Sequence, residues 1–186
     1  MLTTLKQHIE QLVPLTDAEF AQIASFFTEK KFKKHQFLIQ EGEAAPYEFF
    51  VVKGLVKAYH TDTDGKTHIL QFGQEQWWIT DYQAFYSGAT ATLAIDCIED
   101  THVLCITRAN RELLCANQRK MEQFYLKKSS FGYMALQRRI LSLLTTNAKE
   151  RYEQLLLQYP GLINRVPKTL IAAYLGLSRE TLSRLS

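Results

Sequence analysis

The spacing of apolar positions changes twice along this 186-residue chain. The opening stretch, MLTTLKQHIEQLVPLTDAEF, is amphipathic and carries charges throughout. From Asp17 onward Phe20, Ile23, Ala24 and Phe27 recur at helical spacing, so a helix is expected with Thr16 or Asp17 as its cap. After KKFKKHQ the pattern becomes β-rich. EFFVVKGLVKAYHT and KTHILQF read as strands joined by a hairpin at Asp62-Thr-Asp-Gly65. ATLAIDCI and THVLCIT read as a further strand pair around Glu99-Asp100. Five of the eight glycines fall between Gly42 and Gly88, where tight turns between short strands need them. A compact antiparallel β-structure is expected here.

From Ala109 to Leu144 there is no proline, and Gly132 is the only glycine. Met121, Phe124, Phe131, Met134, Ala135, Leu136, Ile140, Leu143 and Leu144 fall on more than one helical face. This predicts a long helix with one face for its own domain and another for a partner helix. Phe124, Phe131, Met134 and Ile140 are the expected dimer contacts; burial within a single monomer is the competing reading. A further helix is expected from about Ala148 to Gln158, ending at Pro160-Gly161. The pattern thus divides into a β domain at 1–117, a dimerisation helix at 118–145 and a C-terminal domain at 146–186.

The closing stretch LIAAYLGLSRETLSRLS predicts two helices with a glycine turn. Leu170, Ile171, Ala172, Leu175 and Leu177 supply apolar contacts, and Gly176 sits where left-handed backbone ends a helix. Ser178 is a natural N-cap and Glu180 lies in the first turn. With Leu182 and Leu185 inward, Arg179, Glu180, Ser183 and Arg184 are left outward. Arg179, Glu180 and Arg184 suit base edges: arginine can pair with guanine and glutamate can accept from cytosine. Lys168, Thr169, Ser178, Thr181 and Ser183 suit phosphate contacts.

Charge adds weight to that reading. Residues 1–118 hold 10 basic against 15 acidic side chains, a net of −5; residues 119–186 hold 12 against 4, a net of +8. Concentrated Lys and Arg suit a polyanion partner or a solvated basic helix surface, and the closing motif decides for the first, here double-stranded DNA. No uninterrupted apolar run suggests a signal peptide or a membrane span, so a cytoplasmic protein without a membrane partner is expected. Three cysteines (Cys97, Cys105, Cys115) without a C-x-x-C pair argue against a disulfide framework or zinc site and are expected in the core. His8, His35, His60, His68 and His102 are expected to be ordinary packed or surface residues. No metal site or nucleophile–base set supports an enzyme.

At this point the closing stretch resembles the helix-turn-helix signature of the Crp/Fnr family of bacterial transcription regulators, roughly I-A-x-x-L-G-x-[ST]-x-E-T-[VL]-[SG]-R. LIQEGEAAPYEFFVVKGLVKAY is similar to the start of that family's β-roll, with Gly42 and Gly54 at turn positions. NAKERYEQLLLQYPGLINRVPKTLIAAYLGLSRETLSRL is like members from Bacteroidetes-type genomes. The resemblance implies an α+β fold: an antiparallel, jelly-roll-like β-roll sensor of cyclic-nucleotide-binding type, a long dimerisation helix and a winged helix-turn-helix whose wing is expected to be missing. It also implies a homodimer on a near-palindromic operator, with RNA polymerase as a further partner. Two other readings compete: a ligand-sensing β-roll with a vestigial DNA-binding part, and a protein-interaction dimer.

In nucleotide-binding relatives the pocket follows a Phe-Gly-Glu stretch, and a helix N-terminus with an arginine holds the cyclic phosphate. Here Phe72-Gly73 is followed by Gln74, with Glu75 one place late. The arginine should fall near Ala91, yet residues 1–107 contain none. A buried phosphate without a cation is strongly unfavourable, so cAMP is not the expected ligand. Phe72, Gly73, Glu75, Trp77, Trp78 and Tyr82 are the expected effector pocket. Trp77, Trp78, Tyr82, Phe85 and Tyr86 would either stack on another flat ligand or fill the space. No cofactor is expected, and an iron–sulfur cluster of the family's usual kind is excluded because no cysteine precedes Cys97.

Overall fold

Two helices open the chain: α1 (Leu2–Glu10) buries Leu5 and Ile9, and α2 (Asp17–Ala24) buries Ile23. Thr16 caps α2 as expected. Its hydroxyl accepts from the Glu19 N–H at 3.2 Å, and the Glu19 carboxylate accepts from the Thr16 N–H at 2.8 Å. This reciprocal box satisfies two amides that the helix itself cannot. The structure is a computed structural model and describes residues 1–185.

Eight strands follow: β1 (Thr28–Phe32), β2 (Phe37–Ile39), β3 (Tyr47–Lys53), β4 (Val56–Thr61), β5 (Thr67–Gly73), β6 (Trp78–Ile79), β7 (Ala94–Cys97) and β8 (Thr101–Thr107). They form two four-stranded sheets in the orders β1-β8-β3-β6 and β2-β7-β4-β5. The registered pairs are antiparallel. Phe49, Val51, Val56, Ile79, Ile95 and Val103 belong to one buried cluster. The fold is the expected α+β class with an antiparallel β-roll.

One pairing differs from expectation. β7 and β8 are consecutive strands but lie in different sheets, so Glu99-Asp100 is a crossing rather than a hairpin turn. The Leu55 carbonyl holds the crossing by accepting from Ile98 N–H at 2.8 Å and Glu99 N–H at 3.2 Å. Gly54, beside it, has φ +107°, and a Cβ there would sit 2.6 Å from Thr101 Oγ1 and 2.7 Å from the Asp100 carbonyl. Backbone and space both require glycine.

The expected single helix from Ala109 is two. α4 (Arg108–Asn117) and α5 (Arg119–Thr145) meet at Gln118, whose φ of −133° and ψ of 93° are extended. Its carbonyl accepts the first amides of α5, from Met121 at 2.8 Å and Glu122 at 3.2 Å. Its side chain donates to Gln22 Oε1 at 2.7 Å. The local carbonyl bonds and the one tertiary bond to Gln22 hold a break that no proline or glycine announces.

The chain divides into two units, one of residues 1–60 and 71–129, the other of 61–70 and 130 onward. The first turns of α5 belong to the former. Met121, Phe124 and Tyr125 are buried there with Leu5, Ile9, Phe50 and Trp78. Phe124 is therefore not a dimer contact: it is fully buried against its own domain. Phe131, Met134 and Ile140 are about half exposed, at 54%, 49% and 48%. In the second unit, α6 (Ala148–Gln158) begins at an Asn147–Glu150 capping box, followed by α7 (Leu162–Arg165), α8 (Lys168–Leu175) and α9 (Arg179–Leu185). Leu155, Leu162, Val166, Ile171, Leu175 and Leu182 are buried in these helices. Among the described residues no helix is long and apolar enough to cross a membrane.

Candidate functional site

The turn between α8 and α9 is built as its residues predict. Gly176 adopts left-handed backbone, φ 69° and ψ 32°, and the Leu177 N–H reaches back to the Ala172 carbonyl at 2.9 Å. That closing bond needs the glycine, because a Cβ is disfavoured at positive φ. Ser178 Oγ then accepts from the Thr181 N–H at 3.1 Å and caps α9. Leu182, 1% exposed, fixes the helix. Arg179, Glu180, Ser183 and Arg184 are exposed on it, and Lys168 and Thr169 are exposed at the start of α8.

Some of these groups have internal partners. The Ser178 and Thr181 hydroxyls lie 3.1 Å apart. The Glu180 carboxyl is held below its ordinary range by its own backbone N–H and then by Ser178. Two other basic residues of this unit serve its structure. Arg151 donates to the Leu175 carbonyl at 3.1 Å and the Thr146 carbonyl at 2.5 Å. Arg139 donates to the carbonyls of Ile69 and Tyr174 at 2.9 and 2.8 Å and lies 3.7 Å from the Tyr174 ring centre. The net positive charge is thus only partly available to a partner.

In the first unit a short helix, α3 (Tyr82–Ser87), follows β6 and is capped by Asp81. The Asp81 carboxylate is 2% exposed. It accepts from the N–H of Ala84 at 3.1 Å, Thr92 at 2.7 Å and Leu93 at 3.1 Å, and from the Thr92 hydroxyl at 3.0 Å. Burial alone would raise its pKa; these donors outweigh it and hold the acid below its usual range. A resident anion therefore occupies the donors shared by the helix N-terminus and residues 92–93.

Beside it lies a buried charged cluster. Glu48, fully buried on β3, accepts from Arg111 of α4 at 3.1 Å, from the Tyr82 hydroxyl at 2.8 Å and from Lys128 of α5. One carboxylate thus faces two cations. Burial pushes the Lys128 ammonium down to about 8; Glu48 opposes that shift and Arg111 adds to it. Aromatic faces shield the cations: Arg111 is 4.1 Å from the Tyr125 ring centre and Lys128 is 4.3 Å from that of Trp78.

The six residues expected to form an effector pocket do different things. Trp78 is core, packed on Phe50 and Phe124 and donating its indole N–H to His8 at 3.1 Å. Glu75 accepts from the Gly54 N–H at 2.9 Å. Gly73 and Phe72 are buried at the end of β5, and a Cβ on Gly73 would meet Val56 at 2.9 Å. Trp77 is half-buried, and its carbonyl accepts from Val51 N–H at 2.8 Å. Tyr82 leaves its ring 40% exposed while its hydroxyl turns inward. A surface cavity of about 380 Å³ is lined by none of the six. Sequence reasoning missed Asp81 and Glu48. The signals were an acid directly before an aromatic helical run, TDYQAF, and a lone acid inside an apolar strand, YEFFVV.

Residues 29–118 match the cyclic nucleotide-binding domain. No curated protein sequence matches the chain. The fold is similar to that of FixK2 from Bradyrhizobium japonicum, at 25% identity and a TM-score of 0.74, covering 86% of this chain and 82% of that one. It is similar to a CooA mutant from Carboxydothermus hydrogenoformans, at 19% identity and 0.71, covering 88% and 76%. The catabolite activator protein of Thermus thermophilus follows at 19% and 0.58, covering 96% and 84%. The chain thus holds a cyclic nucleotide-binding domain at residues 29–118 and is similar in fold to these structures, in keeping with its resemblance to the Crp/Fnr family.

Proposed function

We propose that the protein is a homodimeric, sequence-specific DNA-binding transcription regulator acting in the cytoplasm. The observation that carries this reading is the exposed set Arg179, Glu180 and Arg184 on a helix anchored by Leu182 and entered through the Gly176 turn. Such a helix suits a major groove, with base edges near its N-terminal end. Lys168, Thr169, Ser178, Thr181 and Ser183 are suited to flanking phosphates, which set register rather than sequence.

The second half of α5 supports self-association. Phe131, Tyr133, Met134, Leu136, Ile140 and Leu144 are each at least 48% exposed. An apolar stretch of that length on a helix calls for a partner, and a second copy buries the same positions symmetrically. Two copies would read half-sites about one helical turn, ~34 Å, apart. In this reading residues 1–117 form the sensor, 118–145 the dimerisation helix and 146–186 the DNA-binding domain.

The sensor does not respond to cAMP. Asp81 uses the amides that a phosphate would need, and the region near Ala91 supplies no arginine. An effector of other chemistry would act by binding one arrangement of the two DNA-reading ends better than another. Selection of bound sequences from random DNA, with and without cell metabolite extract, tests the reading. A near-palindrome with fixed half-site spacing is expected; no enrichment in low salt under either condition would overturn it.

A further inference from the structure

The cavity of about 380 Å³ lies within residues 30–49 of the first unit, and Asp81 is not part of its lining. It is lined by β1, β2, the start of β3 and the segment joining β2 to β3. β1 and β2 are the outer strands of the two different sheets. Side chains alternate along a strand, so Lys30 and Phe32 share a face of β1 and both line the cavity. The floor is aromatic: Phe49 lies 6.3 Å from Phe32 and 6.0 Å from Tyr47 between ring centres. Phe37, 41% exposed, forms one wall, and Glu43 belongs to the lining.

The Lys30 ammonium sits 3.8 Å from the centre of the Tyr47 ring and forms no ion pair among the described residues. The aromatic face replaces water on one side of it, and Lys30 belongs to the cavity lining. The volume of about 380 Å³ falls in the range of small-molecule sites, ~300–1,000 Å³. Lys31 and Lys34 are exposed nearby in sequence, as are Glu29 and Glu41, so Lys30 is the cation that lines the cavity itself. Glu43 opposes a second negative charge.

We propose that this cavity binds small aromatic monocarboxylic acids, the ring lying against Phe32 and Phe37 and the carboxylate pairing with Lys30 beside Tyr47. The geometry assigns each part of the ligand a partner. The ring replaces water over apolar surface, and the carboxylate meets a cation already oriented by an aromatic face. Glu43 selects against dicarboxylates by like-charge repulsion. This inference goes beyond the DNA-binding reading and does not depend on it.

The test is titration of the full chain with benzoate, phenylacetate and indole-3-acetate, followed by calorimetry and amide chemical shifts. Saturable binding of at least one acid is expected, with shifts at β1, β2 and Tyr47. Phenylacetamide and phenethylamine should bind at least about tenfold more weakly, because they lose the charge-assisted contact. Lys30→Met should weaken the acid by a similar factor while its circular dichroism and melting stay like the parent's. Glu43→Gln should retain the monoacid and gain affinity for phenylsuccinate. Failure of all three acids to saturate, or equal affinity in Lys30→Met, would overturn the proposal. So would shifts confined to residues outside the cavity. Self-association of Lys30→Met without ligand binding by the parent would instead mark Lys30 as a guard of the β1 edge and also overturn it.

Discussion

Two short helices in this protein begin in opposite ways. α3 starts at Asp81, whose buried carboxylate takes four donors from Ala84, Thr92 and Leu93. α9 starts at Ser178, an exposed hydroxyl that caps one amide, Thr181 N–H. A helix N-terminus attracts anions because its first amides lack partners. At α3 the protein supplies the anion itself, and the amides are spent on holding the β-roll together. At α9 the cap is neutral, and polar side chains around it face solvent. The same local physics therefore closes one end and leaves the other open for a phosphate backbone.

The strongest way to break this contrast is Asp81→Ala. The change leaves the buried amide of Ala84 and the partly buried amides of Thr92 and Leu93 without their acceptor. A stranded buried donor costs ~1–3 kcal/mol and a partly buried one less, so a loss of about 2 kcal/mol or more is expected in urea unfolding. A loss below about 1 kcal/mol, the scale of an ordinary exposed cap, would show that the carboxylate is no more than that.

A second contrast concerns charge. The cations at the DNA-reading end stay in water, whereas Lys128 is buried with Glu48 and Arg111. Burial sets the folded pKa of Lys128 near 8, against 10.5 unperturbed. Between these values the unfolded chain binds more protons than the folded one, so stability rises with pH. Below about 8 the penalty of the buried charge is fully present; it is relieved as pH climbs toward 10.5. The buried cysteines and tyrosines, whose pKa values burial raises, act in the opposite sense at high pH. The informative quantity is therefore the difference between parent and Lys128→Met in urea unfolding from pH 7.5 to 10. It should change by up to ~1.4 kcal/mol per pH unit in favour of the parent. Parallel curves would remove Lys128 from the account.

The two regions were also unequally legible in the sequence. The α8–α9 turn could be read residue by residue because its determinants are local: a left-handed glycine, a serine three places before the amide it caps, and leucines at helical spacing. The crossing at Glu99-Asp100 could not, because two strands joined by a short segment read as a hairpin whether or not they share a sheet. What decides is the distant Leu55 carbonyl. Gln118 breaks a helix through bonds to Gln22, again invisible to periodicity. Phe124 and Phe131 carry the same side chain on one helix, yet one is fully buried and the other 54% exposed. Only the placement of α1 and β3 tells them apart. The effector pocket was misplaced for a related reason: Trp78 and Glu75 suit a ligand by type but are engaged by His8 and Gly54.

At the exposed end, Arg179→Ala and Arg184→Ala should each relax base preference at one position per half-site, worth ~1–3 kcal/mol of discrimination. Lys168→Ala should instead weaken all sequences alike and reduce the salt slope by about one. Binding to a panel of single-base operator variants at several salt concentrations separates the two patterns. An unchanged preferred sequence in both arginine variants would remove them from base reading.

The smallest expected stability change gives the sharpest comparison, because it makes α9 begin as α3 does. Ser178→Asp keeps a good N-cap, and aspartate and serine cap about equally well, so folding stability should move by no more than about 0.5 kcal/mol. DNA affinity should nonetheless fall for every sequence. The new carboxylate would occupy the helix end and repel phosphate, and it would also compete with Glu180 for the same amides. Ser178→Asn controls for shape without charge and should bind DNA much more tightly than the aspartate variant. If both variants bind like the parent, the N-terminus of α9 does not face phosphate. The contrast with α3 would then be one of burial alone.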